Sequence, residues 1–259
     1  MTILDKIVEN TKHDVAQRKR NKSLADLRGE VESFDNLRPS FYDALNKTGI
    51  NIISEVKKAS PSKGLICEDF DPVQIAAEYE RGGASAISVL TDEKFFQGRL
   101  SYLDDIASRV QKPLLRKDFI IDAYQIYEAK LHSASAILLI AVSLDTLQIK
   151  DFIMLAHLLD LDVLVEVHNY EELEKALKTP ARIIGVNNRD LKTFNVNLRT
   201  SHDLVKEIPD DKIKVSESGI FSFQDIVSLR VSGFDAFLIG ESLMKQKDRV
   251  LALKKLRGV

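Results

Sequence analysis

The chain has 259 residues, of which 44% are apolar and 29% charged, with a formal net charge of −2. That length admits two ordinary domains or one large α/β barrel, and the composition is that of a soluble globular protein. The near-neutral charge excludes a basic field for nucleic acid, a single cysteine excludes an internal disulfide framework, and no apolar stretch approaches the roughly 20 residues that cross a bilayer.

The first ten residues, MTILDKIVEN, lack the basic and apolar regions of a signal peptide, so a cytoplasmic protein is expected. Ile3, Ile7, Val8 and Val15 fall at roughly helical spacing, which predicts a first helix. Its basic run Arg18 to Lys22 reads as a solvated helix end. SFYDALN, residues 40–46, predicts a second, short helix. Residues 1–48 are therefore expected to form a helical extension packed on a barrel of residues 49–259, being too few to bury a core alone.

From about residue 50 the chain alternates between short aliphatic runs and amphipathic helices. The runs are INIIS (50–54), AISVL (86–90), KPLLR (112–116), AILLI (136–140), DVLVEV (162–167), RIIGV (182–186), KIKVS (212–216) and AFLIG (236–240). Continuous apolar runs suit parallel strands buried on both faces, and right-handed crossovers put the helices outside. Asp71 with Pro72, and Ser222, begin helices that end at Gly82 or Gly83 and at Gly233. Eight such units in some 210 residues predict a single (β/α)8 TIM barrel with an N-terminal helical extension. A doubly wound sheet is the alternative, but no G-x-G-x-x-G follows the first strand.

Catalytic groups of a barrel sit at the C-terminal ends of its strands. Strand one runs into Glu55 and Lys57, whose i, i+2 spacing puts both on one face. Strand three ends at Lys117 and strand six at Asn187, ahead of Arg189. Strand seven ends at Glu217 and Ser218 and strand eight at Gly240. Glu166 stands inside the apolar run of strand five, and a buried carboxylate needs a cation partner. Gly219 and Gly240, after strands seven and eight, could bring backbone N–H groups close to a phosphate. Cys67, in a polar loop, reads as incidental.

The segments SEVKKASPSKG, SVLTDEKFFQG, PLLRKDFIID, LVEVHNYEEL, IIGVNNRDLKTF, VSESGI and LIGESLM, in that order, closely resemble the indole-3-glycerol phosphate synthase family of tryptophan biosynthesis. The resemblance implies ring closure of 1-(2-carboxyphenylamino)-1-deoxyribulose 5-phosphate with loss of CO2 and water, without cofactor or metal. It implies Lys117 as general acid, Lys57 against the substrate carboxylate, Glu166 as base or cation stabiliser and Glu55 orienting the lysines. Asn187, Glu217 and Ser218 would position the carbonyl and hydroxyls. Ser60, Gly219, Gly240 and Glu241 align with the family's phosphate region, with the Glu241 side chain turned away from the anion. Leu90, Phe96, Leu115, Phe119, Leu138, Leu191 and Leu238 align with the aromatic part of the pocket, and Arg189 would bind the loop or the substrate. The loop Lys57 to Gly64 is expected to close over the phosphate. The expected ligand is a phosphorylated small molecule, with no nucleic-acid or membrane partner, and the chain is expected to be a monomer or weak homo-oligomer. Two rivals are weighed. Phosphoribosylanthranilate isomerase places a Cys at the end of strand one, where Glu55 and Lys57 stand here. A non-catalytic barrel would have no need of Lys117 or Glu166.

Overall fold

The computed structural model describes residues 2–259. Three helices come first: α1 (Ile3–Asn21), α2 (Leu24–Glu32) and α3 (Phe41–Leu45). Strands and helices then alternate through β1 (Asn51–Val56), α4 (Pro72–Gly82), β2 (Ala86–Leu90), α5 (Glu93–Phe96), α6 (Tyr102–Ala107), β3 (Leu114–Lys117), α7 (Ala123–Leu131), β4 (Ala136–Ile140) and α8 (Thr146–Leu158). The chain continues through β5 (Asp162–Val167), α9 (Tyr170–Leu177), β6 (Ile183–Asn187), α10 (Arg199–Leu204), β7 (Ile213–Glu217), α11 (Phe223–Val231), β8 (Ala236–Ile239), α12 (Glu241–Met244) and α13 (Arg249–Leu256). Each strand pairs in parallel with its sequence neighbours, and β1 closes the barrel against β8. No described helix is long and apolar enough to cross a membrane.

The period of two along each strand divides the apolar residues between two cores. Ile52, Val56, Val163, Val165, Val186 and Phe237 point outward to the helices. Ile53, Leu115, Leu164, Ile183, Val215 and Leu238 fill the barrel interior. Glu55, Lys117, Glu166, Asn187 and Glu217 continue the inward series, so each arrives above that packed interior.

Four strands reach further toward the mouth than their apolar runs. β1 includes Glu55 and Val56, β3 includes Lys117, β6 includes Asn187 and β7 includes Glu217. The backbone ladder holds these polar residues: Glu55 pairs with Ser88, and Asn187 with Glu217. β8 ends one residue earlier than its run, leaving Gly240 at the start of α12.

The N-terminal helices grip the barrel at both ends. Phe41 and Leu45 of α3, both fully buried, belong to the interior cluster and plug the bottom of the barrel. The Asn51 side-chain amide ties that end together, donating to the carbonyls of Leu45, Lys47 and Asp235. The basic end of α1 is a solvated helix end at Arg20 and Asn21, but Arg18 and Lys19 also reach the barrel. Arg18 Nη1 lies 2.9 Å from Glu128 Oε2, and Lys19 Nζ lies 2.6 Å from Asp122 Oδ2. Glu128 in turn meets Arg116, a fully buried guanidinium on the outer face of β3 that also pairs with Asp118 at 2.9 Å.

Helix α2 has no counterpart in the sequence reading. Its Ser23/Asp26 capping box is regular, but only Leu27 is fully buried, and Gly29 with its charged neighbours dilutes the apolar period. Cys67 lies in the loop read from the sequence and is buried there, with Arg249 Nη2 3.6 Å from its sulfur. The segment after Lys57 forms a two-residue antiparallel hairpin, Ala59–Ser60 against Gly64–Leu65.

The plug makes a stability prediction. Phe41→Ala removes an aromatic ring from the closed end of the barrel and should cost about 3–5 kcal/mol. A urea titration should show a lowered midpoint at unchanged slope.

Candidate active site

The mouth of the barrel opens into a cavity of about 440 Å3. Its charged wall comes from four strands. β1 supplies Glu55 and, just beyond its end, Lys57, whose ammonium pairs with the Glu55 carboxylate. β3 supplies Lys117, with Nζ 3.3 Å from Glu166 Oε2 of β5 and 3.6 Å from Glu217 Oε2 of β7. Asn187 ends β6, its Oδ1 accepting the Arg189 N–H at 3.0 Å.

The three glutamates are all nearly inaccessible, and their surroundings set their charge. Burial acts to raise Glu55, but the ammoniums of Lys57 and Lys117 outweigh it and hold the carboxyl below its ordinary range. Burial likewise opposes the charge on Glu166, and Lys117, His168 and Asn187 overcome it, so Glu166 is firmly ionised. Glu217 goes the other way. Burial and the nearby Glu166 carboxylate push it up to about 8 despite Lys117. Among the described residues, neither of its oxygens has a hydrogen-bond donor. Burial alone would lower Lys117, but Glu166, Glu217 and Glu55 raise it above the ordinary lysine range, so it enters the cavity as an ammonium.

Two glycines make room for these carboxylates. A Cβ on Gly185 would lie 2.2 Å from Glu217 Oε1, and one on Gly240 would lie 2.2 Å from Glu55 Oε1. Gly185 stands beside Glu166 in the strand register.

The apolar part of the cavity has Leu90, Leu138 and Leu238 from the strands and a tilted pair of rings, Phe96 and Phe119, with centroids 6.1 Å apart. Leu115 is a correction. It points inward but is fully buried in the interior packing below the mouth and does not line the cavity. Leu191 lies on the loop after β6, which overhangs the opening and is held by the Arg189 guanidinium donating to the Phe194 carbonyl at 3.3 Å.

At the opposite side stand Ser60 on the hairpin, Ser218 and Gly219 after β7, and Gly240 and Glu241 after β8. Ser218 and Gly219 both have positive φ, +66° and +80°, giving the chain a sharp left-handed turn. Glu241 Oε1 takes a hydrogen bond from Lys245 at 2.6 Å, and its Oε2 lies 3.7 Å from Arg189. The carboxylate thus has its own cations on its flanks.

All the residues singled out from the sequence, Leu115 excepted, surround this one cavity. Sequence reasoning missed its cover: Ile3, Leu4 and Ile7 of α1 lie across the mouth. It also missed His168, two residues beyond Glu166. The i, i+2 spacing that singled out Lys57 beside Glu55 applies equally to that pair.

A family model described as indole-3-glycerol phosphate synthase matches residues 4–256. The chain belongs to the indole-3-glycerol phosphate synthase family. It is 46% identical over 259 residues to the indole-3-glycerol phosphate synthase of Sulfurimonas denitrificans, covering 98% of each chain. It is 48% identical over 248 residues to that of Thermoanaerobacter pseudethanolicus, covering 96% of this chain and 94% of the relative. Among solved structures, 3-hexulose-6-phosphate synthase of Salmonella typhimurium superposes with a TM-score of 0.64 at 14% identity, over 80% of this chain and 97% of that one. The tryptophan synthase α-subunit of Pyrococcus furiosus gives 0.60 at 15% identity, over 81% and 98%. At such identities these two speak for the barrel fold alone. Membership in the indole-3-glycerol phosphate synthase family makes the chain a carboxy-lyase of tryptophan biosynthesis, which closes the indole ring with loss of CO2 and water.

The elevated Glu217 carboxyl has a measurable consequence. Its native-state pKa of about 8 lies above the unfolded value, so the native state binds the extra proton. The contribution of Glu217 to stability is therefore full below the ordinary carboxylate range and is lost as pH rises toward about 8. The difference in unfolding free energy between the parent and Glu217→Gln should fall over that interval and level off above it. Urea unfolding of both proteins at a series of pH values checks this.

Proposed function

We propose that the residues around this cavity divide the ring closure among themselves as follows. The aromatic carbon of the substrate attacks the ribulose carbonyl, which must gain a proton as its oxygen becomes a hydroxyl. Lys117 supplies that proton as general acid. The observation that carries this assignment is its ammonium, buried at the mouth between Glu166 and Glu217 and turned into the cavity. Lys57 pairs with the substrate carboxylate, which leaves as CO2. It then assists departure of the hydroxyl as water, with Glu166 stabilising the cationic ring system and taking up a proton. Glu55 pairs with Lys57 and holds it in place. Asn187, Glu217 and Ser218 orient the carbonyl and hydroxyl oxygens.

The anilino ring packs between Phe96, Phe119 and the leucines. The phosphate lies toward Ser60, Gly219, Gly240 and the Glu241 backbone N–H, with Arg189 adding charge. The hairpin bearing Ser60 closes over it, and exclusion of water strengthens each polar contact. We read residues 1–48 as an extension of the catalytic barrel, since α3 shares its interior core and α1 covers its mouth. A cytoplasmic monomer or weak homo-oligomer, acting on a phosphorylated small molecule and not on nucleic acid, fits the net charge of −2.

Two substitutions test the assignments. Lys117→Ala should leave the fold intact and lower kcat by about 10²–10⁴-fold, the range of general acid catalysis. Indole absorbance formed from the anilino-ribulose phosphate is the measurement, and activity within about threefold of the parent would remove Lys117 from the role. Glu166→Gln keeps the shape and loses the charge, so the damage should appear in kcat with KM little changed. A higher KM at constant kcat would make Glu166 a binding residue instead.

A further inference from the structure

His168 stands two residues beyond Glu166, just past the end of β5, with a largely buried side chain. Its Nε2 lies 3.2 Å from Glu166 Oε1, the oxygen that Lys117 leaves free. The approach is off the line of a good hydrogen bond, so the contact is one of charge. On its other side Nδ1 lies 2.9 Å from Glu172 Oε2. Glu172 is itself buried and fixed, accepting the His168 backbone N–H at 2.8 Å and the Asn169 side-chain amide at 2.7 Å. It sits in the first turn of α9, where the helix dipole favours a negative charge.

We propose that His168 is a positioning residue for the reaction: an imidazolium clamped between Glu172 and Glu166, it keeps the Glu166 carboxylate ionised and fixes its orientation toward the cavity. The inference rests on Glu166 acting at the reacting centre. The groups around it are consistent with a charged ring. Glu166 faces it from the end of β5, Glu172 faces it from α9, and Lys117 of β3 and Glu217 of β7 reach it only through Glu166. Burial works against the ring's charge, but the two carboxylates outweigh it and raise the imidazole to about 10. The charge balance agrees. Lys57, Lys117 and His168 are three cations, and Glu55, Glu166 and Glu172 are three carboxylates. Glu217 is the one carboxylate left over, and it is the one pushed up to about 8.

The Glu172–His168–Glu166 chain resembles the orienting pairs that set a catalytic histidine elsewhere, with the order changed so that histidine serves the carboxylate. Without the imidazolium, Glu166 keeps a single cation and its pKa must rise.

Titration of the parent protein with 15N-labelled histidine reads the ring directly. Both His168 nitrogens should carry protons through about pH 8, well above the ordinary histidine pKa of about 6.5. A ring that turns neutral below about pH 7 overturns the clamp. In His168→Gln, kcat at neutral pH should fall by about tenfold while KM stays within about twofold. The acid limb of the kcat profile should move up by about one pH unit. Glu172→Gln should move it in the same direction by less. A purely structural histidine would lower the unfolding midpoint and leave that limb in place, which would overturn the positioning role. Glu166→Gln separates the two readings. If it leaves kcat unchanged, both the Glu166 assignment and the positioning role fall; if it lowers kcat while His168→Gln leaves the acid limb in place, the loss is His168's alone.

Discussion

The structure depends on one electrostatic constraint: charges of both signs have been taken out of water at the top of a packed hydrophobic barrel. An isolated carboxylate there would be costly, and it would neutralise itself by shifting its pKa. Here Glu55 has Lys57, Glu166 has Lys117 and His168, and Glu172 has His168 and a helix N-terminus. Glu217 shares Lys117 with Glu166, which lies closer to the ammonium, and it answers by holding a proton. The same arrangement gives the site both an ammonium and a carboxylate of settled charge within one hydrogen-bond distance, which proton-transfer chemistry requires.

Rigidity is the second requirement, and the strand ladder supplies it. Because Glu55, Lys117, Asn187 and Glu217 belong to the sheet and not to loops, their backbones are pinned to neighbouring strands by hydrogen bonds. The side chains are pinned from below by the interior leucines and isoleucines. Gly185 and Gly240 matter for the same reason: the wall opposite each carboxylate is hollow by one methyl group, and the carboxylate occupies that hollow. On the far side of β3, the buried Arg116 network with Asp118, Glu128 and Arg18 joins the strand that carries Lys117 to the helix that covers the mouth.

Much of this was legible in the sequence. Eight aliphatic runs marked eight strands, and the isolated charge of Glu166 inside VLVEVH marked a buried carboxylate. The runs understate the strands at the mouth, since hydrophobic periodicity stops where function begins while backbone pairing continues through Glu55, Lys117 and Glu217. Leu115 follows the inward series of β3 correctly, yet its depth along the barrel axis is a tertiary quantity, and it lies one layer too low. Gly185 looked like an ordinary strand residue, because its neighbour Glu217 is 32 residues away and meets it only through the β6–β7 register. His168 was legible by the spacing argument used for Lys57, and the readiness of histidine to sit neutral in a core hid it. α3 as a plug and α1 as a cover could not be read from helical periodicity, which reports that a face is buried and not what buries it.

The ring closure of the sheet also orders events in time. β1 and the plugging helix α3 leave the ribosome first, but the strand that flanks β1 on one side is β8, and the Asn51 side chain that seals the bottom reaches a carbonyl 184 residues further along. At about 5–20 residues per second, nascent β1 spends on the order of ten to forty seconds with one unpaired edge. Through that interval its run of Ile52 and Ile53 is a sticky surface, and β2, emerging some thirty residues later, is the earliest native partner able to shield it. Parallel pairings of long sequence separation are intrinsically slow to form. For this chain the last strand synthesised is thus the one that turns an open, vulnerable sheet into a vessel with a floor.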